Sequence, residues 1–523
     1  MDRIAGSYRP ETIGRARESS QVSIERRTPK ATMLGQLAFQ LLRIGFFFIA
    51  AYSAYSNRPA LAWLSGILFV HSLLDPRSYL KPNIMNTYLL FTVVFYYCRW
   101  VMGWGSEGTT IYKEDAPNWV RAIKDVAWLG FLAAYGLKAI LRPRFDRRTP
   151  LWFTLRGLVL IILMLIYLAL PTLALIYGRG SLFEIVLTDL RYPLEYVPFV
   201  LVFPFILQGQ SSIKYLRVFV PLIILSLLFL AVEMFSGRPT GFGGLGPYVR
   251  YGSIFGSPND FGVFLMLSIT ALLAFLAERA IRWSFKVVGL LVLCLCALAS
   301  TVSLSAIFST AFCTIALVLF ARNKVKGVLT VIVIVLLAAG LYFAFPEAGV
   351  SRYLGERIQN LSGFRELSAY GHYTGVIDAE KAIEHFEPEE YLVGSLTARS
   401  DTIVLETYYL RTMYLRGALS LVTLLAIIGL TLFQGYHRYR AAYGNPQRRG
   451  LFLATFLGVA GFAFASMFIP YFDTFPSNFY FWFLVAIIWC EPMSEKEVSA
   501  LHGVRPRQLP SARGQGLTPR LGS

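Results

Sequence analysis

Apolar residues in this chain gather into long runs separated by short polar stretches that hold most of the charge. One helix needs about 20 apolar residues to cross a bilayer core. Runs near that length lie at about 36–55, 60–74, 84–104, 120–141, 151–177, 193–207, 218–236, 260–277, 287–303, 305–321, 328–345, 417–434, 451–470 and 477–490. The pattern predicts an all-α, polytopic membrane protein with about fourteen transmembrane helices. Residues 287–321 carry no charge and could form one element, but Ser300-Thr-Val-Ser-Leu-Ser305 divides them into two helix-length halves.

One polar segment is much longer than the others. Residues 346–405 contain Arg352, Arg357, Arg365, Lys381 and Arg399 among ten carboxylates. Within it Val376, Ala379, Ile383 and Phe386 recur at helical spacing, which predicts an amphipathic helix on the membrane surface, stopped by Pro388. The chain thus divides into a basic tail (1–35), eleven spans (36–345), a long loop with its helix (346–416), three spans (417–490) and a second basic tail (491–523).

Charge then fixes the expected orientation. The loops 75–83, 142–150, 208–217, 278–286, 322–327 and 435–450 hold 18 Lys and Arg, whereas the alternate loops 56–59, 105–119, 178–192, 237–257 and 471–476 hold 6. Basic loops stay in the cytoplasm. Both tails therefore belong inside and the long loop outside.

Composition agrees, with 55% hydrophobic and 15% charged residues and a net charge of +18. The basic residues sit between apolar runs, facing lipid headgroups, and form no nucleic-acid motif, so nucleic acid is not an expected partner. All five cysteines, Cys98, Cys294, Cys296, Cys313 and Cys490, fall inside apolar runs, as packing residues do, so no disulfide framework is expected. The first 35 residues lack the order of a cleaved signal peptide.

The most informative short stretch is Arg250-Tyr-Gly-Ser-Ile-Phe-Gly-Ser-Pro-Asn-Asp260, which opens an apolar run on the outer side. Ser257 suits an N-cap, Pro258 the first helical position and Asp260 the acid of a capping box. Such a stretch reads as a capped helix after a glycine-rich loop, or as a helix end whose free N–H groups, with Arg250, face an anion.

Arg250 to Asn259 resembles the corresponding segment of the O-antigen polymerase and O-antigen ligase superfamily. The resemblance extends over about residues 185–435. It takes in the Ser/Thr-rich break at 300–305, the long loop, and Ser400-Asp-Thr-Ile-Val-Leu-Glu-Thr-Tyr-Tyr-Leu410 leading through Arg416-Gly417 into the next helix. Two departures are informative. The break lacks the arginine that many relatives carry there, and Ser400-Asp401 stands where ligases place a histidine-asparagine pair, which favours a polymerase. Arg352 and Gly363 also fit the Arg-to-Gly spacing of such polymerases.

The resemblance implies a metal-independent, inverting glycosyltransferase of the bacterial inner membrane, without a cofactor. It would join oligosaccharide repeats carried on undecaprenyl diphosphate at the periplasmic face, beside membrane lipids and a flippase and chain-length regulator of the same pathway. The diphosphate needs fixed positive charge. Arg250 is the first candidate, with Asn259 beside it, then Arg191, Arg352, Arg365, Arg399 and Arg411. The acceptor hydroxyl needs a base; His372 leads because it titrates near neutrality, followed by Asp401 and Glu406 at the loop's return. The outer loops lack the Asp-x-Asp pair of a metal-dependent nucleotide-sugar site. Two other functions fit the layout: a ligase moving the same glycan to a lipid acceptor, and a flippase of lipid-linked oligosaccharide, although no repeated halves with broken helices appear. Arg43, His71, Arg99, Arg156 and Glu233 lie within or at the ends of apolar runs, where Arg43 and Arg156 can snorkel to the interface.

Overall fold

The computed structural model describes residues 149–176, 191–207, 211–216, 219–236, 250–321 except 256, 380–395 except 382, and 407–494 except 443 and 475, with isolated helical residues at 45, 49, 132, 133, 135–137, 140 and 328. The expected spans at 36–55, 60–74, 84–104 and 328–345 lie outside the described residues apart from such isolated positions, as does most of 120–141. Among the described residues every regular element is helical.

After a single turn at Pro150–Phe153, the main helices are α1 (Leu155–Ile176), α2 (Arg191–Leu207), α3 (Phe219–Ser236), α4 (Pro258–Ala277), α5 (Phe285–Ser300), α6 (Leu304–Phe320), α7 (Pro388–Val393), α8 (Tyr408–Ala441), α9 (Pro446–Ala465) and α10 (Ser477–Cys490). Four of them supply segments long and apolar enough to cross a bilayer: Leu155–Leu173, Pro258–Ala277, Tyr408–Ala441 and Pro446–Ala465. The others are shorter apolar helices, apart from the six-residue α7.

Two expectations need correction. The run at 417–434 belongs to a longer helix that begins at Tyr408 and breaks at Gly417, so the last residues assigned to the long loop are already helical. The run at 451–470 ends as a helix at Ala465, because the chain turns through Ser466–Ile469 ahead of Pro470. Helical residues at 380, 381, 383 and 384 end before Pro388, which itself opens α7, since a proline at the first helical position gives up only an amide that would be unpaired there. Ile383 and Phe386 pack on Tyr414 of α8, so this part of the expected surface helix also covers protein. Val376 and Ala379 lie outside the described residues. The division of 287–321 is seen directly, with α5 ending at Ser300 and α6 starting at Leu304.

At the centre α4 packs against α9 and α6, α9 against α8, and α10 against α2. In a bilayer, helices gain little from hydrophobicity against one another and rely on close packing. At Gly262 of α4 a methyl group would lie 2.7 Å from Ala306 Cβ of α6. The added methyl must push α4 and α6 apart, so Gly262→Ala should cost about 1 to 3 kcal/mol by overpacking, read as a lower melting temperature of the purified protein. Hydroxyls within the helices bond back one turn, as Ser268 Oγ does to the Phe264 carbonyl at 2.7 Å and Thr310 Oγ1 to that of Ala306 at 2.7 Å. Each buried hydroxyl so placed is satisfied within its own helix. Cys294, Cys296, Cys313 and Cys490 are free thiols in these helices.

Polar contacts collect at the two ends of the bundle, and they join segments that the Lys/Arg alternation assigned to one side. At one end Arg449 Nε meets Glu278 Oε2 at 2.8 Å and Tyr439 donates to Glu278 Oε1 at 2.7 Å. There too Ser211 Oγ and the Ser212 amide donate to Glu491 at 2.8 and 2.6 Å. Arg438 donates to the Ile488 carbonyl at 2.8 Å and lies over Phe452, 4.4 Å from the ring centre. Arg156 lies 4.7 Å over the Phe433 ring, so its charge has an aromatic neighbour at that end. The other end holds the segment around Arg250, the α5–α6 break, the start of α8 and the turn between α9 and α10.

Candidate functional site

The stretch before α4 folds back onto the bundle. The Ser253 amide donates to Glu233 Oε2 of α3 at 2.9 Å, and its hydroxyl to the Ser226 carbonyl at 2.6 Å. Ser253 has φ of 50°, and the turn Ser253–Phe255 is buried. Phe255 stacks on Phe261 with ring centres 5.6 Å apart, which anchors the turn to the first turn of α4. Thus Glu233, expected to be costly inside a span, holds a backbone amide of the loop that delivers Arg250.

The Ser257 and Pro258 parts of the expected cap form. Ser257 Oγ accepts from the Asp260 amide at 3.3 Å, and Pro258 takes the first helical position. Asp260 also reaches beyond its own helix: its Oδ1 accepts from Thr474 Oγ1 at 3.0 Å and from Ser477 Oγ at 2.6 Å.

Arg250 and Asn259 are brought together. Arg250 Nη2 donates to Asn259 Oδ1 at 2.7 Å and its Nε to the Thr301 carbonyl at 3.0 Å. That carbonyl belongs to the α5–α6 break, which also accepts the Tyr251 amide at Ser300. Within the break Val302 is buried at φ of 49°, a conformation that is strained for a β-branched residue. Ser305 Oγ lies 2.8 Å from the Tyr471 hydroxyl. Burial pushes the Tyr471 phenol up, against the Ser305 bond that lowers it, so this hydroxyl stays neutral and is no base near neutral pH.

A second cluster surrounds Asp473. Arg416 Nη2 lies 3.2 Å from Asp473 Oδ1, and Arg411 Nε 3.5 Å from Asp473 Oδ2. Arg416 Nη1 donates to the hydroxyls of Tyr167 and Tyr408 at 3.2 and 3.3 Å, and these hydroxyls are 3.1 Å apart. The Tyr408 ring stacks on Phe472 with centres 4.7 Å apart. The Tyr408 amide donates to the Ser466 carbonyl, so the start of α8 is fixed to the end of α9.

Of the residues expected to bind diphosphate, Arg250 and Asn259 therefore touch each other, while Arg411 meets Asp473. Arg191 is the first residue of α2, and its side chain is not described. Arg352, Arg365 and Arg399 lie outside the described residues, and so do His372, Asp401 and Glu406. Sequence reasoning did not pick out Asp473, Tyr167 or the side chain of Arg416. One signal was available: Asp473 is the lone charged residue of the 471–476 loop, on the side to which the Arg411–Arg416 segment was also assigned.

No protein-family model matches the chain, and a search among curated proteins finds no relative.

Proposed function

We propose that the chain is a membrane-embedded polysaccharide polymerase of the bacterial inner membrane, with about fourteen spans and its long loop in the periplasm. The acceptor hydroxyl oxygen attacks the anomeric carbon of a glycan carried on undecaprenyl diphosphate. The bond from that carbon to the diphosphate oxygen breaks, the diphosphate leaves with the electron pair, and the hydroxyl proton passes to a base in the long loop. His372, Asp401 and Glu406 are the candidates for that base. Arg250 holds the departing diphosphate, with Asn259 setting the guanidinium plane, and Arg191, Arg352, Arg365, Arg399 and Arg411 are further candidates for contacts to it.

The observation that supports this reading best is the setting of Arg250. Its bonds to Asn259 Oδ1 and the Thr301 carbonyl fix the plane of the guanidinium at the mouth of the helix. It lies at the opening of a capped, membrane-length helix, whose free amides add positive potential. The resemblance of Arg250 to Asn259 to the O-antigen polymerase and ligase superfamily points the same way.

The test is a disruption strain complemented with wild type or with Arg250→Ala, in which surface glycan and lipid-linked intermediates are resolved on gels. Loss of a contact made to developing charge lowers polymerisation about 10²- to 10³-fold, so single-repeat lipid intermediates accumulate. Long chains from the variant would sink the mechanism. Single repeats reaching the lipid core without extension mark a polymerase, whereas polymer that is made but never transferred marks a ligase. Intermediates trapped on the inner leaflet mark a flippase.

A further inference from the structure

The two arginines that share Asp473 differ in how they are held. The Arg416 side chain is 5% exposed, and its terminal nitrogens are committed to two tyrosine hydroxyls and to Asp473. The Arg411 side chain is 37% exposed and touches Asp473 only through Nε, at 3.5 Å. That contact is longer than the charge-assisted bond of about 2.7–2.9 Å. A guanidinium presents its donors in a flat fork. With Nε turned to Asp473, the terminal nitrogens of Arg411 carry no hydrogen bond among the described residues. Among the described residues, two guanidinium groups share this one carboxylate.

The turn that carries Asp473 also reaches the other cluster. Thr474 and Ser477 donate to Asp260, the neighbour of Asn259, which accepts from Arg250. A single seven-residue turn, 471–477, thus fixes the backbone beneath both guanidinium groups.

We infer that Arg411 is a second guanidinium that receives a phosphate-class oxyanion, and that Asp473 and Arg416 are its positioning residues. Asp473 turns the Arg411 fork outward, and Arg416, locked by Tyr167 and Tyr408, keeps Asp473 in place. This rests on the reading of this end of the bundle as a diphosphate site. The ligand is a phosphate or diphosphate, either free in solution or as a lipid headgroup.

The inference is tested on the full chain in lipid nanodiscs, titrated with inorganic pyrophosphate and, separately, prepared with undecaprenyl diphosphate in the disc. Arg411→Gln and Arg411→Lys weaken binding about ten- to a hundredfold, as loss of a charge-assisted contact does. Binding of both probes that depends on Arg411 supports a site for the free anion. Dependence seen with the lipid alone supports a headgroup site. The discriminating variant is Asp473→Asn. Coulomb attraction alone makes an anion bind more tightly once the acid is neutral, whereas a positioning role makes it bind more weakly, with recovery in Asp473→Glu. Tighter binding by Asp473→Asn, or unchanged binding by Arg411→Gln, overturns the inference. If Asp473→Asn does not fold, the partly exposed Arg411 pair of variants decides. Loss of binding in Arg250→Ala together with full binding in Arg411→Gln removes this inference and leaves the proposed function standing. Failure of wild type to bind either probe removes both.

Discussion

Arg416→Ala lowers the stability of the protein by about 3 to 5 kcal/mol, the cost of removing one partner from a buried ion pair. The side chain reaches from α8 to the Tyr167 hydroxyl on α1, the Tyr408 hydroxyl eight residues back in the same helical segment, and Asp473 ahead of α10. Alanine leaves Asp473, whose side chain is 12% exposed, with only the loose Arg411 ion pair among the described residues. It also leaves a void between two tyrosines that are themselves nearly fully buried. Arg416→Lys keeps the charge but cannot reach three partners in one plane, so it recovers part of the loss. The measurement is thermal unfolding in detergent. An unchanged melting temperature for the alanine variant would show that the cluster does not hold α1, α8 and the 471–477 turn together.

Gly417→Ala is expected to cost about 2 to 6 kcal/mol, combining a backbone conformation disallowed to other residues with a steric clash. Gly417 has φ of 77° and ψ of 174°, a region open almost only to glycine. An added Cβ would also run into the Leu392 carbonyl and the Val393 nitrogen of α7. Gly394 answers it from the other side, with φ of 88° and its own absent Cβ facing the backbone of Leu415 and Arg416. The Ser395 amide donates to the Tyr414 carbonyl at 2.7 Å and completes the contact. Release of α7 exposes the peptide bonds around 388–395 to protease, so limited proteolysis of membranes reports the effect directly. A variant as resistant as wild type would refute the argument from close backbone approach.

Helix positions were legible because each run must fill a bilayer with apolar side chains, and that demand is local. Pro258–Ala277 and Ser477–Cys490 lie within two residues of their expected bounds for this reason. The cap at Ser257 and the break at Ser300–Ser305 were legible too, since hydroxyl-rich, proline-marked junctions are local signals. What depends on contacts between distant segments was not. Arg411 is the fourth residue of a helix and reads from sequence as a loop cation; only the return of the 471–477 turn gives it a carboxylate. The pairing of Gly394 with Gly417 is hidden likewise, because each glycine by itself signals no more than a turn.

The seating of α7 bears on which substitutions the chain can take. Main chain meets main chain there, with no side chain in between to adjust. Enlarging one glycine therefore cannot be offset by trimming its opposite number, and the two positions stand or fall as a pair.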